Sequence, residues 1–265
     1  MGTSDPQVVS PATAAVLGRF SLAHRAAVRA EWRAAEAAGL EMEIEEDDDV
    51  MIGAAPSIAS TMFNRALGLT EHPDRVSAAA DFFATHDVAG EVVLDARDAP
   101  GGVEPRIRLD VHVAAPDQVR PPAVDRLTVR PIDPDEADEW MSIVVAANEP
   151  APELAVLWRS MTPHIARTPG WFLIAAELDG RVAGAASLFV SNGVGWLSWA
   201  SVPPEERGRG IQRALISGRA RIAEQQGCDL VVAWALAGGH SSANLELSGF
   251  SRVGQRVAIR AADLG

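Results

Sequence analysis

The chain has 265 residues, 48% hydrophobic and 22% charged, which is enough for two modest domains with cores of their own and too apolar for a disordered polymer. Its formal net charge is −13 and, with no lysine present, all 23 basic residues are arginine; bulk attraction to nucleic acid or anionic lipid is excluded, and any anion must be held locally. No apolar run approaches the roughly 20 residues of a bilayer span, "MGTSDPQVVSP" lacks the basic and apolar regions of a secretory leader, and Cys228 with six scattered histidines gives no disulfide framework or metal-ligand spacing. A soluble, cytoplasmic protein is expected, with no metal and no nucleic-acid or membrane partner.

Helical patterning runs from about Pro11 to Ala38, and Arg75 to His86 reads as a second helix. Strands fit "LEMEIEE", "VMIGA", "EVVLDA" and "RIRLDVHV", so the first part is an α/β domain. The run "EIEEDDD", Glu43 to Asp49, reads as solvated surface or as a long-range attraction for a cationic acceptor. "HVAAPDQVRPPAVDR" is proline-rich and aperiodic, as a linker is, and places a boundary at Ala123, giving domains of residues 1–123 and 124–265.

Beyond the linker "LTVRPI" reads as a strand. Asp133, Pro134 and Glu136 then supply the N-cap, first-turn proline and capping-box acid of a helix to about Ala147, with another helix from Glu153 to Met161. "WFLIAAEL", "RVAGAASLFV" and "GWLSWASV" form an antiparallel meander, because Asp179-Gly180 and "SNGV" suit type I′ turns. Ile211, Leu215, Gly218 and Ile222 recur at helical spacing, Gly227 stops that helix, and "CDLVVAWAL" is a buried strand.

Between the meander and this helix stands "SVPPEERGRGIQRAL", Ser201 to Leu215. A helix start presents unpaired N–H groups and a positive dipole end, and Gly208 and Gly210 let a phosphate approach the backbone. A bulky β-branched residue at Gly210 is therefore expected to weaken phosphate-ligand binding while largely keeping the fold.

Arg207-Gly208-Arg209-Gly210-Ile211-Gln212 resembles the R/Q-x-x-G-x-G/A signature of the GCN5-related N-acetyltransferases (GNAT), with Gln212 departing at the last position, and "SSANLELSGF" is similar to the family's final helix and Gly-Phe strand entry. The resemblance covers Leu127 to about Arg260. It implies the family's α/β fold, a mixed and mostly antiparallel sheet flanked by helices. It also implies an acetyl-CoA co-substrate, with Arg207, Gly208, Arg209, Gly210, Ile211 and Gln212 lining its pyrophosphate, Ala200, Ser201 and Val202 pairing with the pantetheine arm, and Asn244 near that arm. "TMFNRALGL" and the order of elements before Ala123 look similar to the degenerate first half of tandem family members.

The implied reaction is direct attack of a small-molecule amine, or a protein N-terminus, on the thioester, in a monomer or homodimer. A protonated ammonium cannot attack, so a base is needed. Glu177, Glu149, His164 and His240 are the possibilities, with Glu177 favoured. Many family members place a tyrosine five residues before the Gly-Phe phenylalanine to protonate the thiolate; here that position is Leu245, and the chain has no tyrosine. Ser241 and Ser242 are nearby hydroxyls better suited to capping, and Cys228 reads as a small core residue. A non-catalytic acyl-CoA sensor, or other thioester chemistry such as decarboxylation, are the alternatives.

Overall fold

The computed structural model describes residues 10–47 and 49–264. Asp48 of the acidic run and the first nine residues, where the leader pattern was sought, lie outside the described residues. In chain order the elements are α1 (Pro11–Ala37), β1 (Glu43–Asp47), β2 (Val50–Ala54), β3 (Arg65–Leu67), α2 (Val76–Thr85), β4 (Glu91–Asp95) and β5 (Ile107–Ala114). After the proline-rich segment come β6 (Leu127–Pro131), α3 (Ala137–Asn148), α4 (Pro152–Ala166), β7 (Trp171–Leu178), β8 (Arg181–Ser191) and β9 (Val194–Ser201). The chain ends with α5 (Ile211–Gln225), β10 (Leu230–Leu236), α6 (His240–Leu247) and β11 (Ser251–Arg260).

Local chemistry accounts for the boundaries. Ser10 caps α1 by accepting from the Thr13 N–H at 3.1 Å, with Pro11 in the first turn. The Asp133/Glu136 capping box forms ahead of α3. Asp179-Gly180 and Asn192-Gly193 have positive φ at both residues, as two-residue hairpin turns of the right twist require. The helix expected to stop at Met161 runs on to Ala166 through Pro163. The densely charged β1 is exposed at every position, a charged edge that discourages pairing with another chain.

Among the described residues one sheet of 11 strands forms, in the order β1-β2-β3-β4-β11-β5-β10-β9-β8-β7-β6. From β1 inward the pairings are antiparallel, antiparallel, parallel (β3 with β4), then antiparallel to β11 and on to β5. From β7 inward the same succession recurs: two antiparallel pairs, the parallel pair β9 with β10, then antiparallel to β5 and on to β11. Each parallel pair is bridged by a helix, α2 or α5. The strand preceding the linker thus sits between two strands that follow it, and β11 sits between two that precede the linker.

Side chains alternate across the sheet. Val93, Val111, Val232 and Ala258 join the core beneath α1, α3 and α4. Their strand neighbours pack on the opposite face, Val92, Leu94 and Val257 with α2, Val231 and Ala233 with α5 and α6. No helix of the described residues is long and apolar enough to cross a membrane. Because β5 completes the C-terminal half, residues 124–264 expressed alone expose unpaired edges on β10 and β11. That fragment is expected to aggregate or to lack a cooperative melting transition by circular dichroism, and to become soluble when residues 1–123 are co-expressed.

Candidate active site

β9 and β10 pair only over Val194–Trp196 and Leu230–Val232; beyond this they part, leaving the end of β9 without a partner on that side. A register shift against β8 between Ala185 and Ser187 bulges β9 at the same place, and Trp199 there takes φ +53°. A left-handed conformation at a bulky residue costs about 1–3 kcal/mol and persists only where its surroundings impose it. Here they do. The Trp199 indole N–H donates to Glu31 of α1 at 2.8 Å, and its ring packs edge-on against Trp158 of α4. Buried Arg219 of α5 donates to the carbonyls of Ser198 at 3.1 Å and Ser187 at 3.3 Å. Burial lowers its guanidinium to about 9, so it keeps its charge at neutral pH.

Two cavities meet at this notch. The first, about 670 Å³, is bounded by the starts of α5 and α6 and the end of β9. Ala200, Ser201, Val202, Arg207, Gly208, Gly210, Ile211, Gln212 and Asn244 all line it, so nearly all the residues expected around a CoA ligand come together. Gly210 opens α5 at φ +76° with no side chain capping it, which leaves the first-turn N–H groups to the cavity. Arg207 is steadied by Val202 O at 3.1 Å. Arg209 does not line the cavity; it pairs with buried Glu206 at 2.5 Å, which also holds Arg181. Arg213, not singled out from the sequence, takes a place on the wall. Gln212 donates to Ser241 Oγ at 2.8 Å and accepts from Asn244 Nδ2 at 2.6 Å, joining α5 to α6.

The second cavity, about 440 Å³, lies on the face covered by α1 and α4 and shares Asn148, Ala200 and Ser201 with the first. Its charged lining comes from before the linker, Glu31, Arg65, Glu91 and Arg106, and its aromatic lining from after it, Trp158, Trp199 and Trp234. Burial raises the Glu31 carboxyl above the ordinary range, opposed by Arg65 and the bond from Trp199. Asn148, at the end of α3, donates to Ser201 Oγ at 2.9 Å where the cavities join.

The other sequence candidates separate clearly. Glu177 lines neither cavity: on β7 it pairs with Arg130 at 2.7 Å, beside Glu136. Exposed Glu149 ends α3, and exposed His164 sits in the last turn of α4. His240 and Ser241 reach the first cavity, whereas buried Ser242 turns to Asp110 and His112. Cys228 is buried, which pushes its thiol up. Neither Glu31 nor Asn148 stood out in the sequence; each occupies an ordinary helical position, and only the packing of distant elements brings it to the notch.

Residues 135–245 match the family model of the acetyltransferase (GNAT) family. No curated protein matches the chain in sequence. Among solved structures it is similar to a GCN5-related N-acetyltransferase from Kribbella flavida, at 15% identity over 86% of this chain and 95% of that one, with a TM-score of 0.61. A GCN5-related N-acetyltransferase from Sphaerobacter thermophilus is 18% identical over 82% of this chain and 81% of its own, TM-score 0.57. A tandem GNAT protein from the clavulanic acid biosynthesis pathway is 14% identical over 83% of both chains, TM-score 0.53. The segment 135–245 is similar to the GNAT family, and the architecture of the chain is an α/β GNAT-like fold with a mixed sheet and flanking helices.

Proposed function

We propose that the protein is an acetyl-CoA-dependent N-acetyltransferase whose acyl donor occupies the 670 Å³ cavity and whose amine acceptor occupies the 440 Å³ one. The observation that carries this reading is their junction at Asn148, Ala200 and Ser201, where β9 leaves β10. An extended pantetheine arm can pair with the free side of β9 through Ala200, Ser201 and Val202, and Asn244 flanks it from α6. The pyrophosphate then meets the backbone of Arg207 to Gln212 and the positive end of α5. A thioester carbonyl at the bulge would find backbone N–H groups aimed at its developing oxyanion.

On this reading Glu31 is the base, in place of Glu177, because it reaches the acceptor cavity and carries a carboxyl tuned upward by burial. The amine gives up a proton to Glu31 and its nitrogen bonds to the acetyl carbon. The tetrahedral intermediate collapses, the C–S bond breaks and CoA leaves as the thiolate, which takes a proton from solvent. We further propose that residues 1–123 are a degenerate repeat of the domain formed by 124–265. The recurrent strand pairing supports this, as does the segment between β3 and α2, which carries no glycine-arginine loop. Its retained task is the acceptor wall.

Acetyl-CoA at a hundred times its dissociation constant should add about 2.7 kcal/mol of stability, seen as a rise in Tm that ATP and NAD do not give. No rise with any acyl-CoA removes the donor-site assignment. The informative loop variant is Gly208→Ala: at φ +77° its Cβ meets nothing within 4 Å except the open cavity. The same atom at Gly210 would stand 2.7 Å from Val124 Cγ2, so a bulky residue there presses on the linker as well and reports less directly on the loop. Gly208→Ala should lower the ligand-free Tm by about 2–4 °C and weaken acetyl-CoA binding at least about tenfold.

Base catalysis by Glu31 has a defined pH dependence. Because its folded pKa is raised, the carboxylate is lost as pH falls through that higher value, so the acid limb of kcat/KM lies above the usual carboxylate range. Glu31→Gln keeps an oxygen to accept from Trp199 and should cost about 10²–10³-fold in kcat/KM while abolishing the limb. An unchanged profile assigns the base elsewhere.

A further inference from the structure

The charged groups of the second cavity specify more than a generic amine. They alternate in sign: Glu31 Oε2 lies 3.7 Å from Arg65 Nη2, Glu91 acts on Arg65 as a second anion, and Glu91 accepts from Arg106 Nε. Two carboxylates and two guanidiniums make the lining formally neutral, despite the acidic protein around it. Exposure differs between the two ends of the row. The Glu31 and Glu91 side chains are 7% and 8% exposed, whereas that of Arg106 is 46% exposed. A carboxylate therefore stands at the deep end, beside the notch, and a guanidinium stands at the mouth.

Arg106 has capacity to spare. Its Nη2 donates to Thr61 Oγ1 at 3.4 Å, and among the described residues its Nη1 has no hydrogen-bond partner. The Thr61 hydroxyl accepts there and can still donate its own proton to a ligand. An anionic group at the mouth would thus meet a guanidinium N–H and a hydroxyl together. Polycationic amines gain nothing net from a neutral lining and meet two arginines, while a simple anion would meet two buried carboxylates. Trp158, Trp199 and Trp234 leave an apolar body between the two ends.

Resting on the acetyl-transfer reading, we infer that the acceptor is a small amino carboxylate. Its amine lies toward Glu31 and Ser198–Ser201, its carboxylate toward Arg106 and Thr61, and an apolar or aromatic side group lies against the tryptophans. The product is an N-acetyl amino carboxylate, formed by the same attack and loss of CoA.

The test compares phenylalanine and leucine with their amides and decarboxylated amines, alongside spermidine and glucosamine. CoA release is followed at fixed acetyl-CoA, and Tm shifts are measured with each compound in the absence of acyl-CoA. The amide is the more weakly basic amine, so more of it is unprotonated at neutral pH and the comparison is biased against the expected result. A carboxylated member at least about tenfold better in kcat/KM than its amide supports the assignment, as does a fall of that ratio toward one in Arg106→Gln. Equal or better turnover of the amides, or a ratio that Arg106→Gln leaves unchanged, overturns it while acetyl transfer stands. A Tm rise with the carboxylated members and no CoA release from any compound keeps the amino-carboxylate site and removes acetyl transfer. Neither turnover nor a Tm shift with the carboxylated members overturns the assignment.

Discussion

The parting of β9 from β10 is the constraint on which the rest of this molecule depends. A parallel pair that stayed zipped along its length would close the sheet between the two cavities. After three paired positions the strands separate instead, and the bulge at Trp199 turns the end of β9 away from its former partner. That geometry is strained, and it is held from both faces. Glu31 accepts from the Trp199 indole on one side, and Arg219 donates to the Ser198 carbonyl of the strand from the other. Neither contact is local in sequence. The opening is therefore a product of the whole fold and not of the turn that follows it.

A second consequence concerns the relation between the halves. Each contributes one central strand to the other's part of the sheet, β5 in one direction and β11 in the other. Domains joined only by a flexible linker generally have mobile interfaces. Here continuous strand pairing crosses the boundary, which fixes Glu31, Arg65, Glu91 and Arg106 relative to the notch. On the proposed reading, the half without a glycine-arginine loop carries the acceptor's polar contacts while the other half carries the donor's.

The C-terminal half was largely legible because its signals are local. The Asp133/Glu136 capping box, the two Asx-Gly turns and the glycines before α5 each specify backbone conformation within a few residues, and all recur in the structure. The lining of the first cavity followed from one loop, the strand leading to it and the motif of the last helix. Arg209 was the exception, since its pairing with Glu206 depends on how a short turn folds back. The lining of the second cavity was not legible. Glu31 sits 168 residues from Trp199, the group it holds, and no period or spacing in a single sequence reports such a contact. Glu177, attractive beside a hairpin, belongs to an ion pair at the far edge of the sheet. The interleaving of β5 and β11 was likewise hidden, because strand patterning gives the face a residue occupies and not its neighbour strand.

Gln212 shows how the departures from the family signature fit together. A longer side chain where the signature has glycine or alanine would obstruct a phosphate if it projected over the helix start. It is drawn sideways instead, bonded to Ser241 and Asn244, so it forms part of the wall and fastens the start of α6. From beneath, Ser242 fastens the same helix to Asp110 at 3.1 Å and to His112 at 3.2 Å, both on β5. Held at both levels, α6 buries Leu245 in the core, at the position where the family resemblance would place a tyrosine. His240 and Ser241 of the same helix line the cavity, and Ser241 already accepts from Gln212. A thiolate is a stable enough leaving group to depart without a dedicated acid. On the proposed reading, the fixed α6 holds one wall of the donor cavity rigid and the final protonation falls to water.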